Sequence, residues 1–315
     1  MYRRRPQASP IVSLPHILGG ALLGVAIVQV ARTISRARRV PLRSEWTAIR
    51  GIRRSTSLVL HARVSDDVAT SLPPIVLVHG YGIASSYFVP LAARLRDDAH
   101  VYAPDLPGHG PSDHDVRPLN TRELAGALAA WMDANGLRDA VLVGHSFGSQ
   151  IAAEVAARRS DLVSGLLLIA PASDPMARSI AGQIVRSVRG LPFERPGLAI
   201  WAALDYTRSG VSVLAAELRE LIAHRIEDVL PRLTVPVRVV RGKWDQLVPQ
   251  DWAETVARLV NAPPPAVIGR WSHAVHYDDP DAVADIVLEL AVEAARGRAL
   301  RTRLRDRARE SRTPV

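Results

Sequence analysis

The stretch Ala140-Val-Leu-Val-Gly144-His145-Ser146-Phe147-Gly148-Ser149-Gln150 constrains this chain more than any other. Four apolar residues read as a buried strand, Gly-x-Ser-x-Gly as a tight turn, and Ile151 to Ala157 as the helix that follows. A side chain at the apex of such a turn needs a strained backbone, which only small neighbours such as Gly144 and Gly148 accommodate. The serine oxygen then projects above the sheet, and the helix behind it offers N–H dipoles to a developing negative charge. Ser146 is therefore the candidate nucleophile, and Gly144 and Gly148 form its elbow.

The rest of the chain fits a fold that can hold such an elbow. Short apolar runs at Ser57–Val64, Ile75–His79, Val101–Ala103, Leu166–Ile169, Val237–Arg241 and Ala266–Ile268 read as strands. Helical patterns at Thr121–Asn135, Phe147–Arg159, Gln250–Val260 and Pro280–Ala295 separate them. Strands this apolar belong to a mostly parallel sheet covered by helices on both faces, an α/β fold. After Ala170 come about sixty residues, 171–233, that are helical in pattern and too long for a plain connection, so they read as an inserted helical cap. The expected core is then 46–170 with 234–295. Within the cap, Phe193, Trp201 and Tyr206 are candidates to line a substrate pocket or to form the cap's own core.

Composition narrows the function classes. With 48% hydrophobic and 23% charged residues the chain has the means to fold, and with no cysteine it excludes disulfides, thiolate nucleophiles and Cys-ligated zinc. The net charge of +9 is concentrated at the ends. Residues 1–54 carry eleven arginines against Glu45 alone, and residues 296–315 carry eight against Asp306 and Glu310, which leaves the stretch between them acidic. A basic balance confined to the ends, without interleaved aromatics, argues against nucleic acid as a partner.

Residues 11–31 hold no charged side chain, and 17–31 are apolar on every face apart from Gln29. Arginines flank both sides. The reading is an N-terminal segment, 1–45, that meets a membrane as an uncleaved anchor or re-entrant segment. A helix packed on the globular domain and a cleaved signal are the alternatives. The heavier arginine count after the run places the catalytic domain on the cytoplasmic side; a soluble cytoplasmic enzyme is the alternative. The Arg-rich tail, 296–315, has little to bury and reads as a solvated helix end or a disordered tail.

With these motifs in place the chain resembles the α/β-hydrolase superfamily over roughly residues 46–295, as a serine-nucleophile, capped, esterase- or lipase-like member. His79-Gly80-Tyr81-Gly82 after the Ile75–Val78 run is similar to the family's oxyanion turn, which implies that the backbone N–H groups of Tyr81 and Phe147 hold the oxyanion. Asp105-Leu-Pro107-Gly108-His109-Gly110 resembles a structural turn of the family, so Asp105 and His109 are not catalytic candidates. The resemblance puts the acid at Asp245, in Gly242-Lys-Trp-Asp245 with Val248-Pro249 following; Asp251 is its rival, better explained as a helix N-cap. It puts the base at His273, seven residues before Pro280, ahead of His276, which reads as lining the site or packing on the helix. The order Ser146, Asp245, His273 is the one this fold uses.

The pattern departs from the family at Ser149 and Ser272, where glycine is frequent, and the oxyanion turn is not of the His-Gly-Gly-Gly type. What the resemblance implies is cleavage of an ester-like carbonyl bond in a small, apolar acyl substrate through an acyl-enzyme, with no metal or organic cofactor. Carbon–carbon bond hydrolysis, perhydrolysis and acyl transfer are open on the same residues, and a non-catalytic binding protein is the rival of a different class. Substrate identity and oligomeric state are not legible.

Overall fold

The computed structural model describes residues 42–50, 57–114, 117–269 and 273–310. The apolar segment 11–31 lies outside them. Among the described residues no helix is long and apolar enough to cross a membrane.

Eight strands form one sheet in the order β1-β2-β4-β3-β5-β6-β7-β8. They are β1 (Leu42–Arg50), β2 (Ser57–Ser65), β3 (Ile75–Val78), β4 (Val101–Pro104), β5 (Ala140–His145), β6 (Val163–Ile169), β7 (Val237–Gly242) and β8 (Ala266–Ile268). β1 pairs antiparallel with β2, and β2 with β4; every other pairing is parallel. The central strands β3, β5 and β6 are buried along their whole length, as two covered faces require.

The covering helices are α1 (Val89–Leu95), α2 (Thr121–Ala134), α3 (Phe147–Arg158), α7 (Gln250–Leu259) and α9 (Pro280–Glu310), the last preceded by the single turn α8 (Val275–Asp278). α9 packs on β5, β6 and α1, which also meets β4, while α3 packs on β5, β6 and α2, which also meets β1. α2 starts with a capping box, in which Asn120 accepts from Glu123 N–H and Glu123 accepts from Asn120 N–H. Between β6 and β7 the chain is helical: α4 (Ile180–Gly190), α5 (Pro196–Ser209) and α6 (Val211–Ala223), with short 3-10 turns and no strand.

Two expectations need correction. β1 begins at Leu42, inside the segment read as N-terminal to the core. Its nine residues are mostly exposed on an edge, so they carry no apolar alternation to betray a strand. Of the two readings of the Arg-rich tail, the helix end is the one seen, since α9 continues to Glu310 and Arg298 donates to Ser71 O at 3.3 Å. Alanine, leucine and arginine are strong helix formers even with nothing to bury. Asp251 is not the N-cap of α7; Pro249 is, and Asp251 lies exposed in the first turn, where an acid favours the helix dipole.

Candidate active site

Ser146 joins β5 to α3 at φ 53° and ψ −118°, a conformation that strains any residue but glycine. The surroundings explain why the strain is held. A Cβ at Gly144 would lie 2.6 Å from Gly148 O, and one at Gly148 would lie 2.3 Å from Val78 O and 2.5 Å from His79 O. Backbone thus touches backbone on both sides of the serine, and neither position admits a side chain. Ser146 N–H donates to Ile169 O at 2.9 Å, and Ser149 Oγ donates to Gly144 O at 2.8 Å. The Ser149 departure therefore adds a brace to the elbow.

The turn after β3 lies against the elbow: a Cβ on Gly80 would sit 3.3 Å from Ser146 Cβ. Tyr81 follows in that turn and Phe147 is the first residue of α3, where backbone N–H groups have no carbonyl one turn earlier. Gly82, at φ 66°, is crowded by Tyr206 and Leu214 of the cap, and Tyr81 meets the Tyr206 ring edge-on with centroids 5.6 Å apart. Cap carboxylates hold the same turn, since Gly82 N–H donates to Glu217 at 3.2 Å and Ala84 N–H to Asp205 at 3.1 Å.

Asp245 follows β7 and His273 follows β8, so both stand at the same strand-end rim as Ser146. His273 Nδ1 lies 3.0 Å from Asp245 Oδ2, and the other carboxylate oxygen accepts from Leu247 N–H at 2.9 Å and Val248 N–H at 3.0 Å. A carboxylate only accepts, so Nδ1 carries the proton and Nε2 keeps a lone pair. Burial works to lower the His273 pKa, but the attraction of Asp245 outweighs it and holds the ring above its ordinary value.

Several groups that brace this rim lie outside the motifs read from the sequence. Gly80 N–H donates to Tyr87 Oη at 2.9 Å, and Tyr87 Oη lies 2.8 Å from His145 Nδ1. His145 Nε2 lies 3.1 Å from His273 O, an acceptor, so Nε2 donates and Nδ1 accepts from the tyrosine. One polarised chain therefore ties the Gly80 turn, the elbow and the His273 loop together. Burial, then His276 and His273, push the His145 pKa well down and keep the ring neutral for this role. Glu194, between the cap helices α4 and α5, accepts His273 N–H at 2.8 Å. Arg241 donates to the carbonyls of Asp245, at 2.8 Å, and Val248, at 2.9 Å, and so fixes the acid turn. The only hints were a charged residue ending an apolar strand, Arg241, and a histidine inside the elbow, His145.

His276 is buried among Tyr87, Phe88 and His145, its two ring nitrogens lack hydrogen-bond partners, and burial followed by His273 lowers its pKa to about 3. It packs beneath the rim. Asp105 accepts from Ser85 N–H at 2.5 Å and pairs with His61 at 2.6 Å, joining β2 to the turn after β4. His109 is buried and 3.2 Å from Glu217, a core-to-cap tie. Phe193 stacks on Trp244 with centroids 5.5 Å apart. The side chain of Trp201 and residue Ser272 lie outside the described residues.

A profile described as the alpha/beta hydrolase family matches residues 75–286. The chain is 25% identical over 245 residues to a pimeloyl-[acyl-carrier protein] methyl ester esterase of Vibrio vulnificus strain YJ016, covering 70% of this chain and 94% of that one. Among solved structures it is similar to a thermophilic esterase from Thermogutta terrifontis, at TM-score 0.68 and 20% identity, over 80% of this chain and 99% of the other. It is also similar to a bacterial membrane phospholipase A, at TM-score 0.66 and 21% identity, over 90% and 96%.

Proposed function

The chain belongs to the alpha/beta hydrolase family and is a hydrolase, and on that premise we propose that it cleaves a carboxylic ester through an acyl-enzyme formed on Ser146. The observation that carries this reading is the Asp245–His273 hydrogen bond at the strand-end rim where Ser146 is held in strain. His273 Nε2 takes the hydroxyl proton as Ser146 Oγ attacks the carbonyl carbon, and the carbonyl oxygen becomes an oxyanion facing the N–H groups of Tyr81 and Phe147. The imidazolium returns the proton to the departing alcohol. Water, deprotonated by the same ring, then releases the acid. Asp245 holds the ring in the tautomer that leaves Nε2 free and stabilises it once charged.

The esterase relatives and the apolar run 11–31 support an acyl substrate of apolar character. The apolar run 11–31 between arginines supports attachment of the enzyme to a membrane, and alkaline washing tests it: the full chain stays with the membranes, and a chain lacking residues 1–40 is released. The reaction is tested by hydrolysis of p-nitrophenyl esters of graded acyl length. Turnover that falls to background in Ser146→Ala is the expected result; equal turnover in both proteins contradicts the reading.

A further inference from the structure

The cap helix α4 is amphipathic and faces the wrong way for a helix that only packs. Its half-buried side is polar: Arg186 pairs with Asp174 at 2.6 Å and donates to Leu247 O at 3.1 Å, and Gln183 donates to Ala177 O at 2.9 Å. Gly190 is its one buried residue. The apolar side points outward. Ile180, Ile184 and Val188, one turn apart, are 52%, 56% and 58% exposed, with Val185 at 48%, Leu191 at 61% and Met176 at 88%. Scattered exposed leucines need no explanation, but a helical stripe of this length turned away from the protein does.

We propose that α4 lies on an anionic lipid surface, with this stripe in the acyl boundary and the exposed Arg189 at the headgroups. The charge pattern selects that occupant. There is no Asp or Glu from Pro175 to Phe193, and Arg189 is exposed at the border of the stripe. Arg189 also lines, with Arg186, Arg241 and Asp245, a cavity of about 320 Å³ beside the helix. The chain's own residues 1–41 are a poor cover, because they carry seven arginines and no acid and would meet like charge here. A protein partner is disfavoured by the make-up of the stripe, which has isoleucine, valine, leucine and methionine but none of the aromatics that anchor such interfaces. Aliphatic residues on one face with arginine at the border are what an interfacial helix uses.

The contact is independent of the reaction proposed above, and its test does not read activity. The chain has no cysteine, so Val188→Cys in the full chain takes one environment-sensitive nitrobenzoxadiazole dye. On vesicles containing phosphatidylglycerol the dye emission shifts to the blue and brightens, whereas on pure phosphatidylcholine the response is weak. The same dye at Asp161→Cys, on an exposed turn, does not respond. Ile180→Glu with Ile184→Glu, both at exposed positions and so benign to folding, weakens the response at position 188 by roughly tenfold or more. Water-like emission at position 188 while the protein co-floats with the vesicles overturns the proposal. So does a blue-shifted dye before lipid is added, which assigns the face to the chain's own segment or a second copy, and so does an equal response to neutral lipid.

Discussion

Replacing Asp245 by asparagine changes one atom and, on this geometry, inverts the tautomer of His273. Oδ1 of Asp245 accepts two backbone N–H groups, from Leu247 and Val248, so an asparagine must place its carbonyl oxygen there. Its NH2 group then occupies the Oδ2 position, 3.0 Å from His273 Nδ1. Two donors cannot share a hydrogen bond, so Nδ1 becomes the acceptor and the proton moves to Nε2, which loses the lone pair that Ser146 needs. At that separation and an effective dielectric of about 20, the lost attraction between carboxylate and imidazolium is about 5 kcal/mol. At about 1.36 kcal/mol per decade this is a fall in kcat of roughly 10⁴-fold. The pH profile supplies an independent sign. In the wild type, activity is lost as pH falls through a His273 pKa held above 6.5, because the protonated ring is no base. Without the Asp245 charge, burial is opposed only by the weaker pull of Glu194, so the acid limb of the residual activity moves to lower pH. Initial rates on a soluble p-nitrophenyl ester from pH 4 to 9 measure both, with unchanged far-UV circular dichroism as the folding control. Retention of activity within tenfold, or an acid limb that stays in place, refutes the reasoning.

Other perturbations follow from the same contacts. Gly148→Ala drives a Cβ into the Val78 and His79 carbonyls and destabilises the protein by at least about 1–3 kcal/mol, read as a lower midpoint in urea. Tyr87→Phe leaves the buried Gly80 N–H and His145 Nδ1 unpaired, and a stability loss of about 1–3 kcal/mol with reduced kcat is expected from denaturation and rate measurements. Glu194→Ala frees the His273 loop, and kcat falls more than KM rises in steady-state kinetics. His109 is opposed by burial but held above its ordinary pKa by Glu217, so its charged pairing stabilises the cap below about pH 6.5 and is lost as pH rises through the raised value. Thermal melts of Glu217→Gln against wild type therefore differ most at low pH and converge as pH rises.

Much of the sheet was legible because its central strands are buried on both faces and consist of uninterrupted apolar runs, as at Ile75–Val78 and Leu166–Ile169. The helical nature of 171–233 was equally plain from its length and lack of β-branched runs. β1 escaped because an edge strand with exposed Arg43, Ser44 and Trp46 has no pattern to display. The elbow, Asp245 and His273 sit on short local motifs, so sequence could point to them. Tyr87, Glu194 and Glu217 could not be found that way. Each acts through a hydrogen bond to a distant backbone N–H, and no local spacing encodes a partner 7, 79 or 135 residues away.

The most direct measurement is the mass of the protein after exposure to a fluorophosphonate, followed by peptide mapping. An activated serine at this rim takes up one phosphonyl group on the peptide holding residue 146, and Ser146→Ala and His273→Ala remain unmodified. A wild-type protein that stays unlabelled, or that is labelled on a different serine, contradicts the account.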